Sequence, residues 1–355
     1  MVPIIDASGS HFQIGVTIGR ALPDRIAGMV HNYQTLFTQL PNFKLTWTQA
    51  IFQARKYLPF IEEAFPQYLD ELRGMAEGSD VPFDDVLVCN CFEELTDDML
   101  FERCTTVAFA PDHTHDQHVL IGHNEDWLPI DREWQYVVRV RPDDEVPFIA
   151  AVYGGLLPNV GFNAAGVAQC INSVYPDDVR LGTPRLFIGR HVLTAPRLGL
   201  ALERALHPRR AAGYNHVLAD DSGELYNLET TATKFDLLYA HDGCLTHANN
   251  YLSDRLRDHE TEPNELIGSH IRTNRSRRLA RQMMACGLIT IDDIKRIMAD
   301  HVNQPYSICA HAEDVPLRDQ SVTISSYVID LQARTLWYSY GNPCQGEFVP
   351  VTLEG

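Results

Sequence analysis

Cys104 heads the apolar run in FERCTTVAFA (residues 101–110), with Thr105 and Thr106 after it and a Glu-Arg pair before it. A cysteine is by default a small, buried, hydrophobic residue. Its position at the entry to a run, beside hydroxyls and not within bulk, also suits a nucleophile. A reactive thiol needs a base or a positive neighbour to become thiolate. A histidine-paired cysteine belongs at a helix N-terminus, which fits the β-branched CTTVAFA poorly. The remaining arrangement is a nucleophile whose own α-amino group, with a pKa of about 8, acts as the base. For Cys104 this requires scission of the Arg103-Cys104 bond.

Three further stretches carry polar chemistry. In GHNEDW (residues 122–127), His123 and Glu125 match the H-x-E half of a zinc deaminase, but Pro343-Cys344 is not followed by the second cysteine that such a site needs. The segment serves better as a strand beside CTTVAFA, where a hairpin would bring Asp126 or Asn124 towards the nucleophile and its amine. In LTHANNYL (residues 245–252), a strand end delivers His247, Asn249 and Asn250, and a carboxamide there is a competent oxyanion donor. NLETT supplies Glu229 and Thr231 as weaker candidates for the same pocket. His113, His115 and His118 in PDHTHDQH match no closed ligand spacing, so neither a metal nor a cofactor is expected.

Periodicity indicates which elements hold these residues. The first hundred residues read as helical, and Phe60, Ile61, Ala64, Tyr68, Leu72 and Met75 recur at amphipathic spacing, with Gly78 as a C-cap and Pro82 beyond it. At residue 104 the pattern changes to short β-branched and aromatic runs separated by turn residues: TTVAFA, HVLIGH, WQYVVRVR, PFIAAVY and VGFNAAGVAQCI. Helices return over 185–207 and 269–300, with strands between them and two more strands at the C-terminal end. This order predicts an α+β fold with two antiparallel sheets between helical layers. No internal repeat or linker divides it, so one domain over 1–355 is expected.

Bulk properties narrow the function class. A net charge of -18, from 29 basic and 47 acidic residues, argues against nucleic acid or an anionic membrane surface as partner. No run of eighteen apolar residues and no leader-like N-terminus are found, which predicts a cytoplasmic protein. Eight cysteines without a C-x-x-C pair fit neither a disulfide scaffold nor a zinc knuckle, so most are expected to be reduced core residues.

Taken in order, SGSHFQIGVTIGR, LDELRGMAEGSDV, CTTVAF, GHNEDW, VGFNAAGVAQCINSV, LYNLETT, LTHANNYL, QPYSIC and LWYSYGNPC cover almost the whole chain. In them the sequence resembles the isopenicillin N acyltransferase family of N-terminal-nucleophile hydrolases, related to the choloylglycine hydrolases. The resemblance implies a four-layer αββα sandwich with a helical N-terminal segment, made as a precursor that cuts itself into chains 1–103 and 104–355 and remains an α/β heterodimer, with a higher oligomer left open. It implies Cys104 as nucleophile through a thioester, its freed amine as base, Asp126 as the residue that positions it, and Asn249 as oxyanion donor. Thr105, Asn124, Thr231 and Phe162 are pocket candidates. The substrate expected is a small N-acyl amine, with hydrolysis somewhat favoured over transfer to a second amine. A non-catalytic relative that binds a ligand or partner, with Cys104 packed inside, is the reading from another class.

Overall fold

Caps and prolines cut the N-terminal part of the chain into short helices. The computed structural model describes residues 2–39, 45–96, 104–240, 242–261, 266–311 and 321–354. Helix α1 (His11–Ala21) starts at Ser10, whose hydroxyl accepts from the Gln13 N–H while the Gln13 side chain accepts from the Ser10 N–H. After α2 (Pro23–Gln39), Thr46 and Gln49 repeat that box at the head of α3 (Trp47–Ala54). The apolar period read above as one helix is two, α4 (Leu58–Ala64) and α5 (Pro66–Ser79). Pro66 lacks an amide hydrogen and its ring disfavours a helical residue before it; Phe65 accordingly leaves the helix at φ -144°, ψ 55°. Asp80, in the left-handed region at φ 58°, takes the C-cap assigned above to Gly78. Helices α6 (Phe83–Asn90) and α7 (Phe92–Thr96) complete this part.

Gly78 has a different use, in the packing of α5 on α1. A Cβ at Gly15 would sit 1.9 Å from the Glu71 carbonyl oxygen, and one at Gly74 would sit 2.1 Å from that of Phe12. The two backbones therefore touch through glycines, which periodicity cannot reveal because a glycine adds nothing to an apolar stripe.

The strands are β1 (Ile4–Gly9), β2 (Thr105–Phe109), β3 (Leu120–Trp127), β4 (Gln135–Pro142), β5 (Phe148–Tyr153), β6 (Val160–Asn163) and β7 (Val167–Ser173), then β8 (Tyr214–Asp220), β9 (Leu225–Thr230), β10 (Phe235–Tyr239), β11 (Cys244–His247), β12 (Val322–Asp330), β13 (Thr335–Tyr340) and β14 (Val349–Thr352). They form an eight-stranded sheet in the order β1-β4-β5-β6-β7-β8-β9-β10 and a six-stranded sheet in the order β11-β2-β3-β12-β13-β14. Every pair is antiparallel except β1 with β4, which is parallel. Alternation sorts the side chains. Ala108 and Ile121 of the smaller sheet share one core with Val137, Ile149 and Phe162 of the larger, whereas Val107, Phe109 and Leu120 face Ile294 and Met298.

Those last two residues lie on α11 (Ile291–Met298), which with α10 (Ile267–Cys286) covers the outer face of the smaller sheet; before them, α8 (Arg185–Leu193) and α9 (Leu198–Ala205) join the N-terminal helices over the larger one. The layers are αββα, as expected. No described helix is long and apolar enough to cross a membrane.

The residues before the proposed cut are bound to those after it. Strand β1 pairs along its length with β4, and Glu71 of α5 receives Arg190 of α8 at 2.9 Å with both side chains fully buried. Burial alone would raise the Glu71 pKa, but the Arg190 guanidinium and His11 outweigh it and hold the carboxyl below its ordinary range.

Because a Cβ at Gly74 meets backbone and not a flexible side chain, Gly74→Ala is expected to destabilise the protein by about 1–3 kcal/mol, the usual range for overpacking. Urea unfolding measures this, and a midpoint equal to wild type would contradict the close α1/α5 contact.

Candidate active site

Cys104 precedes β2, the strand between β11 and β3, and is 2% exposed. The register pairs Thr105 with Asn124 and Thr106 with His123. One step further along the same register sets Cys104 across from Glu125. Alternation then puts Cys104, Thr106, His123 and Glu125 on the face between the sheets, and Thr105, Asn124 and Asp126 on the face towards α10 and α11.

On the inner face the contacts form a chain. The Cys104 thiol lies 3.9 Å from Glu125 Oε2, which in turn is 3.2 Å from His123 Nε2 and 3.4 Å from the Tyr327 hydroxyl. His123 Nδ1 is 2.7 Å from the Thr106 hydroxyl, and its ring stacks on Tyr327 with centroids 5.1 Å apart. A neutral imidazole satisfies both partners, donating from Nε2 to Glu125 and accepting at Nδ1 from Thr106. With its one hydrogen given to His123, the Thr106 hydroxyl accepts from Asn172 Nδ2 of β7 in the opposite sheet at 3.1 Å. Burial, with the Glu125 charge adding to it, pushes the Tyr327 phenol well above its usual range, so it stays a donor.

Cys104 and Glu125 open onto a cavity of about 40 Å³ that Glu93, Ser173, Tyr214 and Tyr327 also line. Glu93 is engaged there: the Tyr214 hydroxyl donates to it at 2.6 Å and Arg185 approaches to 3.4 Å.

Asn249 meets Cys104 through a third residue. Arg272 of α10, 2% exposed, donates from Nη1 to the Cys104 carbonyl at 2.6 Å and to the Thr105 hydroxyl at 2.8 Å, and from Nη2 to Asn249 Oδ1 at 2.9 Å. This orients the carboxamide, whose nitrogen gives one of its two hydrogens to the Ser173 carbonyl at 3.0 Å. The next residue, Asn250, accepts from Ser269 and Thr273 near the start of α10.

The other candidates are placed as follows. Asn124 donates to the Met298 and Ile308 carbonyls, both at 2.9 Å, which ties the chain after α11 to β3. Asp126, fully buried two residues on, accepts from Thr323 at 2.6 Å. Thr231 lies at a turn after β9, donating to Asp178 at 2.8 Å, and Phe162 is in the core between the sheets; neither lines the cavity. Glu229 accepts from Leu252 N and Ser253 N and pairs with His247 at 2.7 Å, so it organises the loop after β11. Arg103 falls outside the described residues. His113, His115 and His118 belong to neither group of potential metal ligands found among the described residues.

Sequence reasoning missed Glu125 and Arg272 at this site. Glu125 was legible by counting the hairpin register back from a Thr105/Asn124 pair. Arg272, 168 residues from Cys104, had no such signal.

Residues 113–345 match the profile of the family described as Acyl-coenzyme A:6-aminopenicillanic acid acyl-transferase. Over 385 residues the chain is 24% identical to Beta-alanyl-dopamine/carcinine hydrolase of Drosophila melanogaster, covering 98% of this chain and 94% of that protein. It is 23% identical over 346 residues to Acyl-coenzyme A:6-aminopenicillanic-acid-acyltransferase 40 kDa form of Emericella nidulans, covering 96% and 92% respectively. Among solved structures, a conjugated bile acid hydrolase variant from Clostridium perfringens superimposes with a TM-score of 0.49 at 12% identity, over 70% of this chain and 97% of that one.

Replacing Arg272 by methionine keeps bulk but removes a charged donor from three buried acceptors. Since each unsatisfied group costs about 1–3 kcal/mol, Arg272→Met is expected to lose at least about 2 kcal/mol of unfolding free energy. An unchanged urea midpoint would rule out the guanidinium as the joint between β2 and Asn249.

Proposed function

This chain belongs to the acyl-coenzyme A:6-aminopenicillanic acid acyl-transferase family, and from that premise we propose that it is a self-processing cysteine amidohydrolase acting on small N-acyl amines. The family's relatives are hydrolases and acyltransferases, and this chain is an enzyme of that class. The observation that carries the finer reading is the joint at Arg272, which holds the Cys104 carbonyl and the Asn249 carboxamide on one guanidinium.

In the uncut chain the α-nitrogen of Cys104 is an amide and cannot act as a base. Glu125 Oε2, 3.9 Å from the sulfur, takes the thiol proton. Sγ then attacks the Arg103 carbonyl carbon, the Arg103-Cys104 C–N bond breaks, and the proton passes to the departing nitrogen. Water hydrolyses the resulting thioester, leaving Arg103 with a carboxylate and Cys104 with a free thiol and amine. The two fragments remain a heterodimer through the β1/β4 pairing and the Glu71–Arg190 ion pair.

With substrate, the freed amine of Cys104 becomes the base that the internal position lacked. It accepts the thiol proton, Sγ adds to the substrate amide carbon, and the second hydrogen of Asn249 Nδ2 meets the oxyanion. The leaving amine departs with the proton from the Cys104 ammonium. Water, deprotonated by the same amine, hydrolyses the thioester and releases the acid. Asp126 orients the amine, its own carboxylate being held by Thr323. Thr105 and Asn124 act by fixing the backbone around the nucleophile.

One feature supports the substrate class. Glu125 faces the cavity, and among the described residues its side-chain partners are His123, Tyr327 and the Cys104 thiol, an environment that favours an ammonium on the substrate. An N-acyl amine bearing such a group, as in the β-alanyl compounds that the fly relative is named for, fits this environment. Hydrolysis is favoured over transfer because transfer needs a second acceptor pocket and exclusion of water. Eight free thiols accord with a cytoplasmic site of action.

Purified wild-type chain is expected to run on a denaturing gel as fragments of about 12 and 28 kDa, from apportioning its mass at residue 104, while Cys104→Ala stays whole. A wild-type chain that remains intact after prolonged incubation, with a thiol inert to acylating reagents, would leave only the non-catalytic reading. On processed enzyme, Asn249→Ala is expected to lower kcat about 100- to 1,000-fold with a smaller change in KM, the usual effect of losing one oxyanion donor. Following both acid and new amide in the presence of a competing amine decides hydrolysis against transfer; new amide as the main product would reverse the assignment made here.

A further inference from the structure

A second group of reactive side chains lies beyond the catalytic pocket, where the chain after α11 meets the turn after β13. Cys309 Sγ and Cys344 Sγ are 3.7 Å apart, and His311 Nε2 is 3.5 Å from the first and 3.4 Å from the second. His301 Nε2 is 3.1 Å from His311 Nε2, and all four ligand atoms lie within 4.8 Å of one another.

Four of the six separations are close to the edges of a tetrahedron, and the two from His301 to the sulfurs lie within 4.8 Å. With metal–sulfur bonds of about 2.3 Å and metal–nitrogen bonds of about 2.0–2.1 Å, a four-coordinate zinc has S···S, S···N and N···N edges of roughly 3.8, 3.5 and 3.3 Å. The alternatives account for the geometry less well. A sulfur–sulfur separation of 3.7 Å is a contact and not a bond. Two facing Nε2 atoms share at most one hydrogen, whereas a cation uses both lone pairs. Two thiolates also neutralise a divalent charge, so the closed set needs no other anion.

We propose that His301, Cys309, His311 and Cys344 bind one tetrahedral, thiophilic divalent cation of the zinc class as a structural staple. Binding releases the protons of the two thiols to solvent as the metal–sulfur bonds form. His301 and Cys344 are exposed, so the cation exchanges with solution, while Cys309 is buried and accepts from Asn342 Nδ2 at 3.5 Å. The same Asn342 nitrogen donates to the Ala310 carbonyl at 2.6 Å.

The staple lies next to the catalytic machinery without belonging to it. Ala310 N donates to the Thr323 hydroxyl at 2.9 Å, and that hydroxyl donates to Asp126. Asn124 holds the Ile308 carbonyl. Fixing residues 309 and 311 to residue 344 therefore limits the freedom of the group that holds the Asp126 carboxylate.

The test uses the full-length protein, purified from zinc-supplemented cells under reducing conditions, with bound metal counted by mass spectrometry. One zinc per chain is expected in wild type and in Cys104→Ala, and little in Cys309→Ser. His301→Ala is expected to release zinc to a competing chelator by more than the about 10- to 100-fold that loss of an outer hydrogen-bond partner costs. Cobalt added to chelated wild-type protein should give the visible bands of a tetrahedral site with sulfur-to-metal charge transfer. Substoichiometric zinc in wild type overturns the proposal, as does a Cys309-Cys344 disulfide in protein kept under argon. Zinc retained in Cys309→Ser and lost in Cys104→Ala overturns it too, by moving the metal to Cys104, His123 and Glu125. Should Cys309→Ser prove insoluble, the wild-type count and the exposed His301→Ala variant decide.

Discussion

Pairing of β2 with β3 determines which atoms can meet the Cys104 sulfur. In an antiparallel pair, residues opposite each other share a face and successive residues change face. With Thr105 opposite Asn124, Cys104 and Glu125 share the inter-sheet face and Asp126 the other. A slip of one residue would exchange the two carboxylates and bury the thiol against the helices. The register is held at both ends, by Ile121 and Ala108 in the inter-sheet core and by Asn124 bonded to the chain after α11. It decides that one carboxylate, Glu125, faces the thiol while another, Asp126, lies on the opposite face and accepts from Thr323.

Arg272 carries this arrangement to the rest of the molecule. A buried guanidinium is tolerable only where its hydrogens find acceptors. Here they are the Cys104 carbonyl, the Thr105 hydroxyl and the Asn249 carboxamide. Helix α10 thereby joins Cys104, just before β2, to Asn249 beyond β11, the proposed nucleophile and the proposed oxyanion donor. The two strands already pair, His247 with Thr106, so the arginine adds orientation to proximity. Residues before Cys104 are also tied to those after it by tertiary contacts that do not run through the Arg103-Cys104 bond. Those ties are a strand pair and an ion pair whose carboxylate stays charged when buried.

Much of the strand order was legible because β-branched runs and turn residues alternate plainly after residue 104. Elements that depend on distant partners were not. Strand β1 pairs parallel with residues more than a hundred positions away and has no hairpin to announce it. The break at Phe65 was legible in Pro66, but the apolar period ran through it and took precedence. At the site, Cys104, Asp126 and Asn249 stood out by residue type at strand ends. Thr231 and Phe162, chosen from their motifs, lie away from the cavity. His301, Cys309, His311 and Cys344 matched no ligand spacing, since closing the group requires the chain to return to Cys309 after thirty-five residues.

The amino-acid sequence by itself determined the layer order, the thiol at the head of a strand, and the polar residues that accompany it, because periodicity and residue chemistry are local properties. Tertiary structure alone decided which carboxylate faces the sulfur, which cation orients Asn249, and that four dispersed histidines and cysteines meet. Each of those depends on a register or a crossing of elements, and a hydrogen bond or a ligand edge forms only when atoms far apart in the chain come within about 3–4 Å.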